Sequence, residues 1–121
     1  MTQPWSFAEA KNAARNTSLE QRDAETVFVE RVENHARAEA AYRVELAKEI
    51  LVLRGDGQPV TIIGDLARGN ERISTLKLER DIAKGMLDAA TQRVWRQNAD
   101  RRDVQRLIDW SLQVSTGRAA D

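Results

Sequence analysis

Apolar residues recur at intervals of three and four through most of this chain, the spacing that lines one side of a helix at 100° per residue. Between Asn16 and Pro59 the only glycines are Gly55 and Gly57, so nothing breaks that pattern over its length. Thr17-Ser18-Leu19-Glu20-Gln21 reads as a capping box, a hydroxyl accepting from the N–H three residues on while an acidic or amide side chain reaches back. Arg54-Gly55-Asp56-Gly57 supplies a basic last turn and a glycine able to take the left-handed position. The pattern therefore predicts a helix over 18–54, about 54 Å long at 1.5 Å per residue.

Gln58 to Arg68 reads as a connector. Pro59 suits a first helical turn, Thr61 is placed to cap and Gly69 to end, which favours a short helix over 59–68; a β-branched strand at Val60–Ile63 is the competing reading. Asn70 then caps a second long helix with Glu71 in its first turn. Leu78, Ile82, Met86, Leu87, Ala89, Ala90 and Val94 share one half of that helix, and Val104, Leu107, Ile108, Leu112 and Val114 fall on the same half without rephasing. This favours one helix over 70–114, continuous or bent near 98–100, rather than two meeting there. Ser6-Phe7-Ala8-Glu9 is a further capping box and predicts a short helix over 6–15, while 115–121 reads as a frayed tail.

The expected fold is a single all-α domain: a long antiparallel, coiled-coil-like helical hairpin with a short N-terminal helix and a short connector helix. Its first long helix is apolar over more than half its circumference, yet one antiparallel partner covers a stripe only about 100° wide. The excess predicts a homo-oligomer, with Val29, Val32, Ala36, Glu39, Ala40, Arg43, Ala47 and Leu51 as its seam. Glu39 and Arg43, four apart, and Glu79 on the second helix are polar intrusions of the kind that fix register and partner number.

Composition narrows the chemistry. The 121 residues carry 19 Lys+Arg against 19 Asp+Glu, which argues against coating nucleic acid by bulk charge. There is no cysteine and a single histidine, His35, so no thiolate or histidine cluster can hold a metal and no nucleophile and base pair assembles. No catalytic residue, cofactor or metal is expected. The start MTQPWSFAEAK lacks a basic n-region ahead of an apolar core, and no apolar run approaches a membrane span; the expected location is cytoplasmic. Gly64 to Gly69 lacks the Lys-Ser/Thr ending of a phosphate loop, and the connector lacks the three short helices of a helix-turn-helix.

One surface asks for a partner. Trp95, Arg102, Arg106 and Trp110 are spaced seven, four and four, so they share one face of the second long helix, flanked by Arg93, Arg96 and Arg101. Residues 91–118 hold six arginines against Asp100, Asp103 and Asp109. Tryptophan and arginine dominate protein–protein hot spots, and they also stack on bases and pair with phosphate, so a protein partner is expected and single-stranded nucleic acid is the competing occupant. A solvated ion-pair face without a partner would carry the same residues.

The segment from Tyr42 to Ala90, with Ala47-Lys48-Glu49-Ile50-Leu51-Val52-Leu53-Arg54, Asp65-Leu66-Ala67-Arg68-Gly69 and Leu78-Glu79-Arg80-Asp81-Ile82-Ala83, resembles the small helical-hairpin proteins of bacteriophages and prophages. The resemblance implies a helical hairpin in a bacterial host cell and carries no active residues. Residues beyond Ala90 lie outside it. The expected role is that of a non-enzymatic accessory protein in phage replication or recombination, with an inhibitor of a host immune protein and a virion scaffold as alternatives.

Overall fold

A computed structural model describes the backbone of residues 3–120 and the side chains of residues 3–117. It contains three helices, α1 (Phe7–Gly55), α2 (Val60–Gly69) and α3 (Glu71–Ala120), and no strand among the described residues. The chain divides into two compact units, Met1–Phe28 with Ala90–Asp121 (unit 1) and Val29–Ala89 (unit 2). Both long helices contribute a segment to each unit.

The helix ends follow local cap chemistry. At the start of α1, the Ser6 N–H donates to Glu9 Oε2 at 3.0 Å and the Glu9 N–H donates to Ser6 Oγ at 3.2 Å, the reciprocal bonds of a capping box. This helix does not stop near residue 15. Thr17, expected to cap a second helix, lies inside α1 and its hydroxyl donates to the Ala13 carbonyl at 2.9 Å, so the cap group is satisfied one turn back and the helix runs on. The 6–15 and 18–54 helices are thus one. At its end the Gln58 N–H reaches the Leu53 carbonyl at 3.1 Å and the Gly57 N–H reaches that of Arg54 at 3.1 Å, a Schellman closure. Gly57 adopts φ 78° and is the residue for which this turn requires glycine.

The connector is helical, as the Pro59 and Gly69 punctuation favoured. Pro59 occupies the N-cap position without a side-chain cap, and Thr61 lies within the helix instead of capping it. Asn70 caps α3 as expected, its Oδ1 accepting from the N–H groups of Arg72 at 2.9 Å and Ile73 at 3.3 Å. From there α3 runs without a break through 98–100 and on to Ala120, so 115–120 continue the helix instead of fraying; Asp121 lies outside the described residues. The phase kept across Asn98 by Val94, Val104 and Ile108 is the reason no break occurs there.

In unit 2 the less exposed positions of α3 are Ile73, Leu76, Arg80, Ala83 and Leu87, alternating three and four apart. On α1 the corresponding row is Arg31, His35, Ala38, Tyr42, Glu45 and Glu49, with Glu39, Leu46, Ile50 and Leu53 half-buried beside it. Such a 3.5-residue period keeps each row on one face of its helix. Tyr42, Ile63, Ala67 and Ile73 are the buried apolar side chains of this unit, and each isoleucine contributes about 2–3 kcal/mol by leaving water.

The α1 row is otherwise small or polar, and its two glutamates, with Glu39 beside them, are paired with α3. Arg72 bridges the Glu45 carboxylate and lies 3.9 Å from Glu49, while Arg80 Nε is 3.8 Å from Glu39. Desolvation raises the Glu45 pKa, but the hydrogen bond and charge of Arg72 outweigh it and hold the carboxyl below its ordinary value. Glu39 is also held low, first by its 2.8 Å hydrogen bond from Arg43 and then, against some desolvation, by the charges of Arg43, Arg80 and His35.

Unit 1 has a similarly small core. Ala24 and Ala90 are buried, with Thr17 and Ser111 as buried polar residues. Contacts that join its helices and N-terminal segment include Arg93 to Asp23 at 2.7 Å, Gln21 Nε2 to Asn98 Oδ1 at 3.2 Å, Arg101 to Gln21 Oε1 at 3.4 Å, and the Trp5 N–H to Ser111 Oγ at 3.0 Å.

Candidate contact surface

The face expected from Trp95, Arg102, Arg106 and Trp110 lies within unit 1, on an unbroken stretch of α3. Continuity of the helix is what places four residues spaced seven, four and four on one side. Trp95 is 63% exposed and Trp110 39% exposed, while Arg96, Arg102 and Arg106 are exposed as well.

The arginines differ in how far they are engaged. Arg106 is 3.7 Å from Asp103, an exposed i,i+3 pair of little energetic worth, and Arg102 Nε donates to the Asn98 carbonyl at 3.4 Å. Arg101 donates to Gln21 Oε1 at 3.4 Å, and Asp109 accepts from Gln105 at 3.0 Å. Arg93, grouped with this face by sequence, instead turns to α1 and holds Asp23. The face is thus built by Trp95, Arg96, Arg102, Arg106 and Trp110, with Arg93 a structural cation beside it.

Two features of unit 1 were not read from the sequence. Asn98, Arg101, Arg102 and Gln105 line an open polar notch of about 450 Å³. An apolar groove of about 550 Å³ is lined by Trp5, Phe7, Ala10, Ala14, Ile108 and Leu112 among others, with Phe7 85% exposed. The alternating phase of Ile108, Ser111 and Leu112 against the Trp5-Ser6-Phe7 start was the available signal.

The seam residues expected on α1 lie in unit 2. Val29, Val32, Ala36, Ala40, Arg43, Ala47 and Leu51 are all exposed, with Val29 at 63% and Leu51 at 64%. Glu39 stands apart from them, half-buried and within reach of Arg80, and so belongs to the inner seam between α1 and α3. Glu79 borders a largely apolar depression lined by Ile82, Ala83 and Met86 of α3 and by Arg31 and Asn34 of α1.

Among the described residues no group of three or more His, Cys, Asp or Glu side chains could hold a metal ion, and no helix is long and apolar enough to cross a membrane. No protein-family model, no characterised protein and no solved structure matches the chain significantly.

Proposed function

We propose that this chain is a non-catalytic helical protein that works as a homo-oligomer and acts by contact with a protein partner through the Trp95 to Trp110 face. The observation that carries the reading is Trp95, a large indole left 63% exposed on the helix face that also presents Arg102 and Arg106. An exposed indole costs solubility with no return to the folded chain, and Trp and Arg together are the side chains that anchor protein interfaces. The flanking guanidinium groups select a partner surface carrying carboxylates around an apolar pocket.

In this reading α1 and α3 lie antiparallel within each unit. Supporting it, α3 partners in unit 2 advance from Arg72 to Arg80 as α1 partners retreat from Glu45 to Glu39. In unit 1 they advance from Arg93 to Ser111 as the N-terminal partners retreat from Asp23 to Trp5. The resemblance of Tyr42 to Ala90 to phage hairpin proteins sets the partner among phage replication or recombination components, in the cytoplasm of a bacterial host. An immune protein of that host and a virion component are the alternative partners.

Single-stranded nucleic acid is the second reading. The notch of Asn98, Arg101, Arg102 and Gln105 favours it, since it sets two arginines in one open polar recess on the helix that also carries the exposed Trp95. The test compares the wild-type chain with Trp95→Ala/Arg102→Glu. A protein retained from host lysate by the first and lost by the second, at unchanged helicity and mass, supports the protein contact. Binding of a labelled 30-mer single strand that weakens steeply with salt moves the face to nucleic acid. Equal behaviour of the two chains in both assays rejects the face.

A further inference from the structure

α1 in unit 2 has an inner and an outward side of different character. Its inner side, at Ala38, Tyr42, Glu45 and Glu49, faces intramolecular partners, whereas Val29, Val32, Ala36, Ala40, Val44, Ala47 and Leu51 follow one another three or four apart on the outward side and are all exposed. Three valines and a leucine thus lie on a side that the chain itself leaves uncovered. Over 29–51, about 33 Å of helix, this face offers on the order of 500 Å² of apolar surface. A standard interface buries roughly 800 Å² per partner, about 65% of it apolar in homodimers, so the face has the size of one such interface.

The face is also complementary to itself when reversed. About Ala40 its apolar positions are nearly symmetric: Val29 is as far before it as Leu51 is after, Ala36 as far before as Val44 is after, and Val32 and Ala47 miss the same relation by one position. Exposed charges beside the first half are Glu30, Glu33 and Arg37, the last two paired at 2.7 Å, and beside the second half the bases Arg43, Lys48 and Arg54, so the first half is the more acidic. A parallel pairing would set Glu33 on Glu33 and Lys48 on Lys48, whereas an antiparallel one brings acids to bases and places the small Ala40 at the crossing.

We infer that a second copy of this chain covers the outward face of α1, antiparallel, with the two-fold axis at Ala40. Each copy presents the same patch, as a closed two-fold interface demands. The inference supplies the surface for the homo-oligomer proposed above and is independent of the Trp95 face.

The chain has no cysteine, so single cysteines report on this geometry without background. The full-length wild type is expected at an even multiple of the 13.7 kDa chain mass by light scattering. Ala40→Cys should oxidise to a covalent dimer, because only a residue on the axis meets its own copy within the 4.4–6.8 Å Cα separation of a disulfide. Val29→Cys and Leu51→Cys should cross-link when mixed and not alone. Ala40→Glu should weaken the dimer about 100-fold at unchanged helicity, the cost of facing two carboxylates across the axis. A wild-type mass of one chain overturns both the surface and the homo-oligomer. A multiple mass with no cross-link in Ala40→Cys, or with Val29→Cys cross-linking to itself, overturns this surface while the homo-oligomer stands.

Discussion

The guanidinium carbon of Arg80 lies 4.5 Å from the centroid of the Tyr42 ring, so the inner seam of unit 2 is closed by a cation over an aromatic face. Tyr42 is the largest buried side chain that α1 contributes there, and Arg80 also lies 3.1 Å from Asp81 and 3.8 Å from Glu39, which spreads its charge over a ring and two carboxylates. Tyr42→Ala is expected to cost about 3 kcal/mol, since it leaves a void and strips the arginine of its platform. Tyr42→Phe keeps the platform and should cost less than about 0.5 kcal/mol. Urea denaturation followed by far-UV circular dichroism separates the two; equal losses would mean that the hydroxyl, not the ring, secures the seam.

Glu39 and Glu45 carry the pH dependence. Both carboxyls are held below the ordinary 4.5 in the folded chain by their arginine neighbours. A depressed folded value means that the unfolded chain binds the proton first, so their stabilisation is present above pH 4.5 and is lost as pH falls through the lower folded values. The melting temperature should therefore decline on acidification from that point. Glu39→Gln/Glu45→Gln should decline less steeply, and salt should flatten the wild-type curve because both groups are solvent-screened. A wild-type profile that matches the double variant at low salt would assign the acid sensitivity to other carboxyls.

How much of this was legible in the sequence depends on how local each determinant is. The Ser6 and Asn70 caps, the helical connector and the unbroken phase through Asn98 were readable, because each is set by residues within a turn or two. The false start at Thr17 arose because a threonine hydroxyl serves equally as a cap and as a donor to the carbonyl four residues back; which it does depends on the preceding turn. The seam was harder. Two rows run along α1 one position apart, through Val32 and Ala36 or through Arg31 and His35. The more hydrophobic was the natural choice for oligomer packing, yet nothing local says which row meets α3. That choice is tied to pairs 27 to 70 residues apart, Glu45 with Arg72, Glu39 with Arg80 and Asp23 with Arg93, which spacing alone does not disclose. The bond from Arg93 to Asp23, beside the Trp95 face, is of the same long-range kind.

Gln97 is a weak point in unit 1. Its Oε1 is buried with no hydrogen-bond partner among the described residues, on a row of α3 otherwise continued by Val94, Val104 and Ile108. Gln97→Leu removes the unpaired acceptor at similar volume and should raise stability by about 1 kcal/mol, seen as a higher urea midpoint. Gln97→Glu should lower it by at least as much. A loss on Gln97→Leu would show that the amide is satisfied by water or by another copy.

Two glycines make the same substitution opposite in sign. Gly85 sits within α3 with no atom within 4 Å of an added Cβ, and its φ is not positive, so glycine there only adds freedom to the unfolded chain. Gly85→Ala should stabilise by about 0.5–1 kcal/mol. At Gly57 space is equally open, but φ is 78° and the Schellman bonds depend on it; alanine there should destabilise by about 1–2 kcal/mol and loosen the entry to α2. Thermal melts of the two variants should bracket the wild type. If Gly85→Ala instead lowered the melting temperature, the open space beside Gly85 would have to be occupied in solution, and the α3 surface around Ile82 and Met86 would become a packed one.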